Sequence, residues 1–351
     1  MINDPTIAVV VPNWNDARYL PRCIRSVLDQ DAPPDELLVV DDASTDDSVV
    51  IIQSLIRGNP RARFHANPVN LGTNRTINEA LERVESEYVL LLSANDFVLP
   101  GIFARAKACL ARLPRPGLWS AMAWLVDEED RTIRLHPSPV VALGDTYLPA
   151  ERCAHLAHRV GNWFTGPTLT YHRETLRSVG GFDPAYGAPA DFFTAVTVAS
   201  LRGAAYSPEP FAGFRIHAGS YSSRALNEIA AIDAMLAHLR KHGPQLSPDL
   251  FGGAFCDRMA ERYRFASVRA SSGALIPEVA KRETGWKRTG LRVVERLIPR
   301  GLPTVRVALA FLIMRPFDIV PTLWNRALGC TVVRACLKLR GGKRPALARA
   351  R

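Results

Sequence analysis

The chain lacks the marks of a cross-linked, metal-stapled or membrane-spanning protein. Its six cysteines, Cys23, Cys109, Cys153, Cys256, Cys330 and Cys336, form no CxxC pair. That spacing argues against a structural zinc site and a disulfide framework, and it suits a reducing compartment. No histidine-rich spacing accompanies the cysteines, and of the eight histidines all but His217 stay unassigned. There is no internal repeat and no low-complexity tract. Long hydrophobic runs are missing too. The most apolar stretch, residues 302–323, is broken by Arg306, Arg315, Pro316 and Asp318. Its uninterrupted part, Val307–Met314, is far shorter than the roughly 20 residues that cross a bilayer. An interfacial amphipathic helix with basic flanks is the better expectation there. The opening MINDPTIAVVVP has no basic segment before its short apolar run, so no signal peptide is expected.

What is present is an ordinary globular balance, 47% apolar and 22% charged residues over 351 positions, enough for a sizeable core. Charge is distributed unevenly. The chain carries a net +10, while residues 281–351 hold 17 Lys/Arg against 3 Asp/Glu, which leaves residues 1–280 with a net −4. A basic appendage of this kind meets an anionic membrane, an acidic partner or nucleic acid. Its cations flank apolar segments and no recognised nucleic-acid module is present, so a membrane surface is expected and nucleic acid is not.

Buried-strand runs alternate with amphipathic helical patterns through the first part of the chain. TIAVVV (6–11), ELLVV (36–40) and YVLLL (88–92) read as strands, and residues 17–30, the segment after Ser44 and residues 73–84 as helices. The order implies an α/β fold with a mostly parallel sheet covered on both faces. Ligands in such sheets bind beyond the carboxyl ends of the strands, which directs attention to Pro12–Asn15, Asp41–Asp42 and Ser93–Asp96. After residue 113 the pattern loosens. WSAMAWLVD and RTIRL suggest a hairpin, residues 168–171 and 213–217 short strands, residues 191–201 a helix, and residues 222–270 two or three helices.

The segments IAVVVPNWN, LPRCIRSVLDQ, ELLVVDDASTDDS, NLG, YVLLLSANDFVLPG and GGFD followed by PADFF resemble family 2 glycosyltransferases of the GT-A (Rossmann-like) fold, in the family's order, across roughly residues 5–225. The expected organisation is a GT-A domain at 1–225, a helical extension at 226–280 and a basic amphipathic region at 281–351. The resemblance implies transfer of a sugar from a nucleotide-diphosphate sugar to a glycan or lipid-linked acceptor, with inversion. It places such a protein in polysaccharide or cell-envelope synthesis, in the cytoplasm and peripheral on the inner face of the membrane.

Residue roles follow by the same resemblance. Asp42 contacts the nucleotide base, and Pro12, Asn13 and Asn15 lie along the nucleoside. Arg75, after Asn70 and Gly72, either meets the donor phosphates, which suit a guanidinium, or is a solvated helix residue. Asp191 serves as general base toward the acceptor hydroxyl, with N-capping of the following helix as the plainer alternative. Asp96 and His217 are metal candidates, and Trp163 and Gly166 belong to an acceptor loop unless Trp163 simply packs in the core. One departure stands out. Where the family has an acidic D-x-D motif binding Mn²⁺ or Mg²⁺, this chain has Ser93-Ala94-Asn95-Asp96. Asn95, counted with the nucleotide-sugar-binding residues, offers a carbonyl oxygen without charge, so divalent-metal binding is expected to be weaker or differently arranged. With Ala190 where the family has an acid, the same departures define a second reading: a nucleotide-sugar-binding or scaffold protein that has lost the chemistry.

Overall fold

Buried apolar runs become strands and amphipathic stretches become the helices that cover them. A computed structural model of the chain describes residues 4–112, 114–216, 228–318, 329 and 331. The strands are β1 (Ile7–Asn13), β2 (Glu36–Asp41), β3 (Ala62–Ala66), β4 (Tyr88–Leu91), β5 (Phe97–Val98), β6 (Leu118–Val126), β7 (Thr132–Leu135), β8 (Thr146–Leu148), β9 (Thr170–His172) and β10 (Ala204–Arg215). The helices are α1 (Leu20–Leu28), α2 (Ser48–Ile56), α3 (Thr73–Leu81), α4 (Ile102–Leu110), α5 (Ala150–Val160), α6 (Arg173–Ser178), α7 (Ala190–Arg202), α8 (Ile229–Leu246), α9 (Gly253–Ala270), α10 (Ile276–Arg282), α11 (Gly285–Leu297) and α12 (Pro303–Met314).

The sheet runs β3-β2-β1-β4-β9-β6-β10-β5, with β7 on β6 and β8 on β10. Its first part is parallel, as the strand–helix alternation requires: β1 pairs with β2 and β4, and β2 with β3. The remainder is mixed. β9 runs antiparallel to β4 and β6, β7 returns on β6 as the expected hairpin, and β5 is antiparallel to β10. Hairpin returns can only make antiparallel neighbours, whereas parallel ones need a crossover. β10 is also much longer than the short strand expected near 213–217. Pro208 and Pro210 hide its first half from a propensity reading, and the register shifts on either side of Pro210 absorb them.

Alternate residues of each inner strand serve opposite faces. Ile7, Val9, Val11, Leu37 and Val39 pack beneath α1, α2 and α4. Ala8, Val10, Leu38 and Val40 pack with α3, α5 and α7. The second core also takes in Ile232, Met235 and Leu236 of α8 and Phe255, Cys256 and Met259 of α9, so these helices close over one face of the sheet. A third core, from Phe265 through Ile276 and Leu291 to Met314, joins the end of α9 to α10, α11 and α12. None of the helices among the described residues is long and apolar enough to cross a membrane.

Candidate active site

The carboxyl ends of β1 and β2 stand side by side, with Asn13 opposite Asp41 and Asp41 opposite Ala66 of β3. Main-chain bonds carry the ladder into the loops: Asp42 N donates to Asn13 O and Asn67 N to Asp41 O, each at 2.8 Å. Asp41 and Asp42 are both buried, and they do different work. Asp41 Oδ1 accepts from Asn13 Nδ2 at 2.7 Å and from the Ser44 hydroxyl at 2.7 Å, while Oδ2 accepts from Ser44 N at 2.9 Å. Asp42 Oδ1 accepts from Asn67 Nδ2 at 2.8 Å and Leu71 N at 2.9 Å, and Oδ2 accepts from Gly72 N at 2.9 Å. Asp41 therefore braces the first loop, and Asp42 pulls the NLG segment over the crevice. A buried polar atom without a partner is costly unless something fills the role, and Asn13 Oδ1 is one such atom.

Asn15 adopts a left-handed backbone, φ 56°, tolerable for Asn. Its N–H donates to Ser44 Oγ at 2.9 Å and its Oδ1 accepts from Thr45 N at 2.7 Å, so its side chain is spent on the loop. Between them Pro12 is half-buried and Trp14 is 51% exposed; Trp14 does not pack into the core. Arg75 sits in the first turn of α3, exposed and outside the ion pairs formed among the described residues.

The third group surrounds Asp96. Arg215, at the end of β10, is only 3% exposed. Its N–H donates to Asp96 Oδ1 at 2.8 Å, its Nε to Asn95 O at 2.7 Å and its Nη1 to Asp127 O at 2.7 Å. Nη2 pairs with Asp130 in the β6–β7 turn, and the guanidinium lies 4.6 Å from the Tyr19 ring centroid. A Cβ at Gly213 would run into the Phe97 ring, so the glycine lets β5, and the motif before it, approach β10. Burial pushes the Asp96 carboxyl up to about 7, against the pull of the Arg215 N–H and charge and with a push from Asp16.

No three His, Cys, Asp or Glu side chains gather as a metal site among the described residues. Magnesium-type ions are commonly held by one or two carboxylates completed by substrate phosphates, and a desolvated carboxylate gains from a nearby cation. Asp96 fits that arrangement; at Asn95 it is the main-chain carbonyl, not the side-chain amide, that accepts from Arg215. His217 lies outside the described residues.

Asp191 is the second residue of α7. It is not the N-cap, which is Pro189; its Oδ1 accepts from Phe192 N at 2.6 Å. The residue is exposed, and desolvation by the neighbouring chain pushes its pKa up to about 6 against the pull of the Phe192 N–H. Its surroundings include Tyr171 of β9, whose hydroxyl donates to Asp191 O at 3.4 Å. Tyr263 of α9 is also close enough for the Asp191 charge to raise its phenol further. Asp183, in the GGFD turn, caps Ala185 N at 2.9 Å and meets His238 Nε2 of α8 at 2.6 Å, so it shapes the turn and docks α8.

The two acceptor-loop residues separate. Gly166 opens a short 3₁₀ turn beside β4, β5, β6 and β10. Trp163 is 0% exposed, stacked on Phe164 at 3.9 Å and against Tyr206 at 6.0 Å. It packs in the core and presents no face to a ligand. The sequence reading missed Arg215 and Tyr263. A lone arginine inside the apolar run PFAGFRI was the available signal for the first, since a buried charge must be paired; nothing local marks the second.

Residues 8–110 match the family model described as Glycosyl transferase family 2. That match covers under a third of the chain, and it shows likeness to family 2 over those residues. The match ends soon after Asp96, so the family 2 model covers the loops around Asp41, Asp42 and Asp96 and stops before Asp191. A Mycobacterium tuberculosis protein of uncharacterized function is 36% identical over 186 residues, 51% of this chain and 57% of the relative. An uncharacterized glycosyltransferase of Haemophilus influenzae is 34% identical over 97 residues, 28% of this chain and 39% of the relative. The chain thus spans well under two-thirds of either. Among solved structures, a mannosyltransferase from Pyrobaculum calidifontis in complex with GDP-Man and Mn²⁺ superimposes with TM-score 0.54 at 19% identity, covering 93% of this chain and 89% of that one. At that identity the likeness speaks to the fold, which is GT-A.

Proposed function

We propose that the chain transfers a sugar from a nucleotide-diphosphate sugar to a hydroxyl of a glycan or lipid-linked acceptor, with inversion. The reading is carried by Asp191: a carboxylate on an exposed residue, held at the start of α7, with its pKa pushed up to about 6. A base with that pKa is ionised at neutral pH and still basic enough to take a proton in the transition state. In the proposed step the acceptor oxygen attacks the anomeric carbon, the bond from that carbon to the diphosphate oxygen breaks, and the hydroxyl proton passes to Asp191.

The donor side follows from the crevice. Asn13 Oδ1, buried without a partner, together with Asp42, Pro12 and the loop fixed by Asn15, receives the nucleoside. Arg75 reaches the diphosphate, where a guanidinium suits phosphate oxygens. Asp96, presented by Asn95 and Arg215, would hold a Mn²⁺ or Mg²⁺ ion together with the diphosphate. Such an ion supplies Lewis-acid neutralisation of the leaving group. Gly166 lines the acceptor approach, and the chain works at the inner face of a membrane, in keeping with its basic C-terminal region.

Purified protein incubated with a panel of uridine-, guanosine- and thymidine-diphosphate sugars and Mn²⁺ tests the proposal through release of free nucleoside diphosphate. Turnover that vanishes in Asp191→Ala while calorimetry still detects donor binding supports it. Donor binding by the wild type without turnover on any donor or acceptor would instead establish a binding protein.

A further inference from the structure

The apolar stretch that the sequence marks most strongly, Val307–Met314, turns out to be mainly structural. Ala310 and Met314 are buried, and Val307, Leu309, Phe311 and Ile313 pack against the third core. Arg306, which interrupts the run, is buried and paired with Glu295 of α11, and it donates to Ile298 O at 2.8 Å. What remains outside is a stripe shared by two helices. On α11, Trp286 is 59% exposed, Val293 47% and Leu297 72%. Positions seven and eleven residues after Trp286 return to the same side of a helix with 3.6 residues per turn. On α12, Val305 and Leu312 are exposed at the same seven-residue spacing. The inner faces of the two helices are already used, through Leu291, Val294, Ala310 and Met314.

Arg292 and Arg296 are exposed on α11 next to the stripe, and neither pairs with an acid among the described residues. Arg300 follows in the connecting turn, with its side chain 85% exposed and paired with Glu295 at 3.4 Å. Glu295, the one acid of α11, is thus shared between Arg300 and the buried Arg306. An apolar stripe edged by Arg292 and Arg296 matches an anionic bilayer surface, where the side chains enter the acyl boundary and the guanidinium groups meet headgroup phosphates. A second copy of the chain would bring like charges together, and a nucleic acid would leave the stripe unused.

We infer that α11 and α12 form a hairpin that lies on an anionic membrane through Trp286, Val293, Leu297, Val305 and Leu312. This rests on the membrane-surface part of the proposed function and names the residues that make the contact, while the sugar-transfer step stands or falls separately from it. The test is flotation of the full chain with phosphatidylcholine vesicles, with or without phosphatidylglycerol. Wild type is expected to float with the anionic vesicles. Trp286→Ser with Leu297→Ser should lower the bound fraction at least about tenfold, since both lose apolar burial. Arg292→Gln with Arg296→Gln should cost roughly tenfold on anionic vesicles and little on neutral ones. Because all four positions are exposed, thermal melts should match wild type, and turnover with a soluble acceptor should be unchanged. Flotation of the Trp286/Leu297 variant equal to wild type would place the contact elsewhere in the chain. No flotation of wild type, with dimers that the same variant dissociates, would make the face a contact between copies. Either result overturns the inference. Absence of turnover would sink the catalytic proposal and leave the flotation result standing.

Discussion

The main-chain N–H of Arg215 donates to Oδ1 of Asp96 at 2.8 Å while the same residue's Nε donates to Asn95 O at 2.7 Å. One buried residue at the end of β10 thus fixes both the acid of the motif and the peptide before it. Removing the guanidinium leaves Asp130 with Arg22 alone, at 3.6 Å, takes its donor from Asn95 O and leaves Asp127 O with only the Asp130 N–H. Arg215→Ala should destabilise the protein by about 3 kcal/mol, the order found when one member of a buried pair is deleted. Arg215→Lys, which cannot reproduce the fork, should recover only part of that. Urea titrations measure the loss, and an unchanged midpoint in Arg215→Ala would remove Arg215 from its supporting role.

Asp42 should behave differently from an ordinary ligand-binding acid, because its oxygens hold Asn67, Leu71 and Gly72 as well. Asp42→Ala orphans these donors, at a cost of about 1–3 kcal/mol, and weakens donor binding in parallel. Melting curves and calorimetry with nucleoside diphosphate should therefore move together. Weaker binding with no change in melting would mean that the carboxylate does not hold the NLG segment in solution.

Arg75 makes the complementary case. It is exposed on α3, so Arg75→Ala should shift stability by no more than about 0.5 kcal/mol. If the guanidinium meets the diphosphate, donor KM should rise roughly tenfold. A KM within twofold of wild type would return Arg75 to the solvated surface.

The pH dependence follows from Asp191. Desolvation raises its pKa to about 6, and a general base works only when ionised. The value of kcat/KM should therefore rise with pH through about 6 and level off above it. Asp191→Asn should lower kcat by roughly 10²–10⁴-fold with donor binding retained. A profile flat from pH 5 to 8 in the wild type would assign the proton to another group.

The donor half of the site was legible because its determinants are local. An apolar run ending in Asp-Asp, a glycine opening α3 and the segment Ser93–Asp96 after Leu92 each reveal a strand end within a few residues. Arg215 and Tyr263 were hidden for the opposite reason. Their importance comes from contacts with residues far away in sequence, 119 positions between Arg215 and Asp96. Trp163 shows the same limit from the other side: an aromatic beside a loop glycine reads equally well as ligand platform or core, and only the packing of Phe164 and Tyr206 decides. The length of β10 was concealed by its prolines, and Arg306 read as an interruption until Glu295 supplied its partner.

The core that α8 and α9 share with the sheet has a consequence for the protein's birth on the ribosome. The loops around Asp41 and Asp42 draw their side-chain bonds from residues 13–72, whereas Asp96 waits for Arg215 and Phe193 behind Asp191 waits for Tyr263, whose ring lies 6.0 Å away. A nascent chain can therefore assemble the first two loops long before Asp191, the proposed base, acquires the surroundings that raise its pKa.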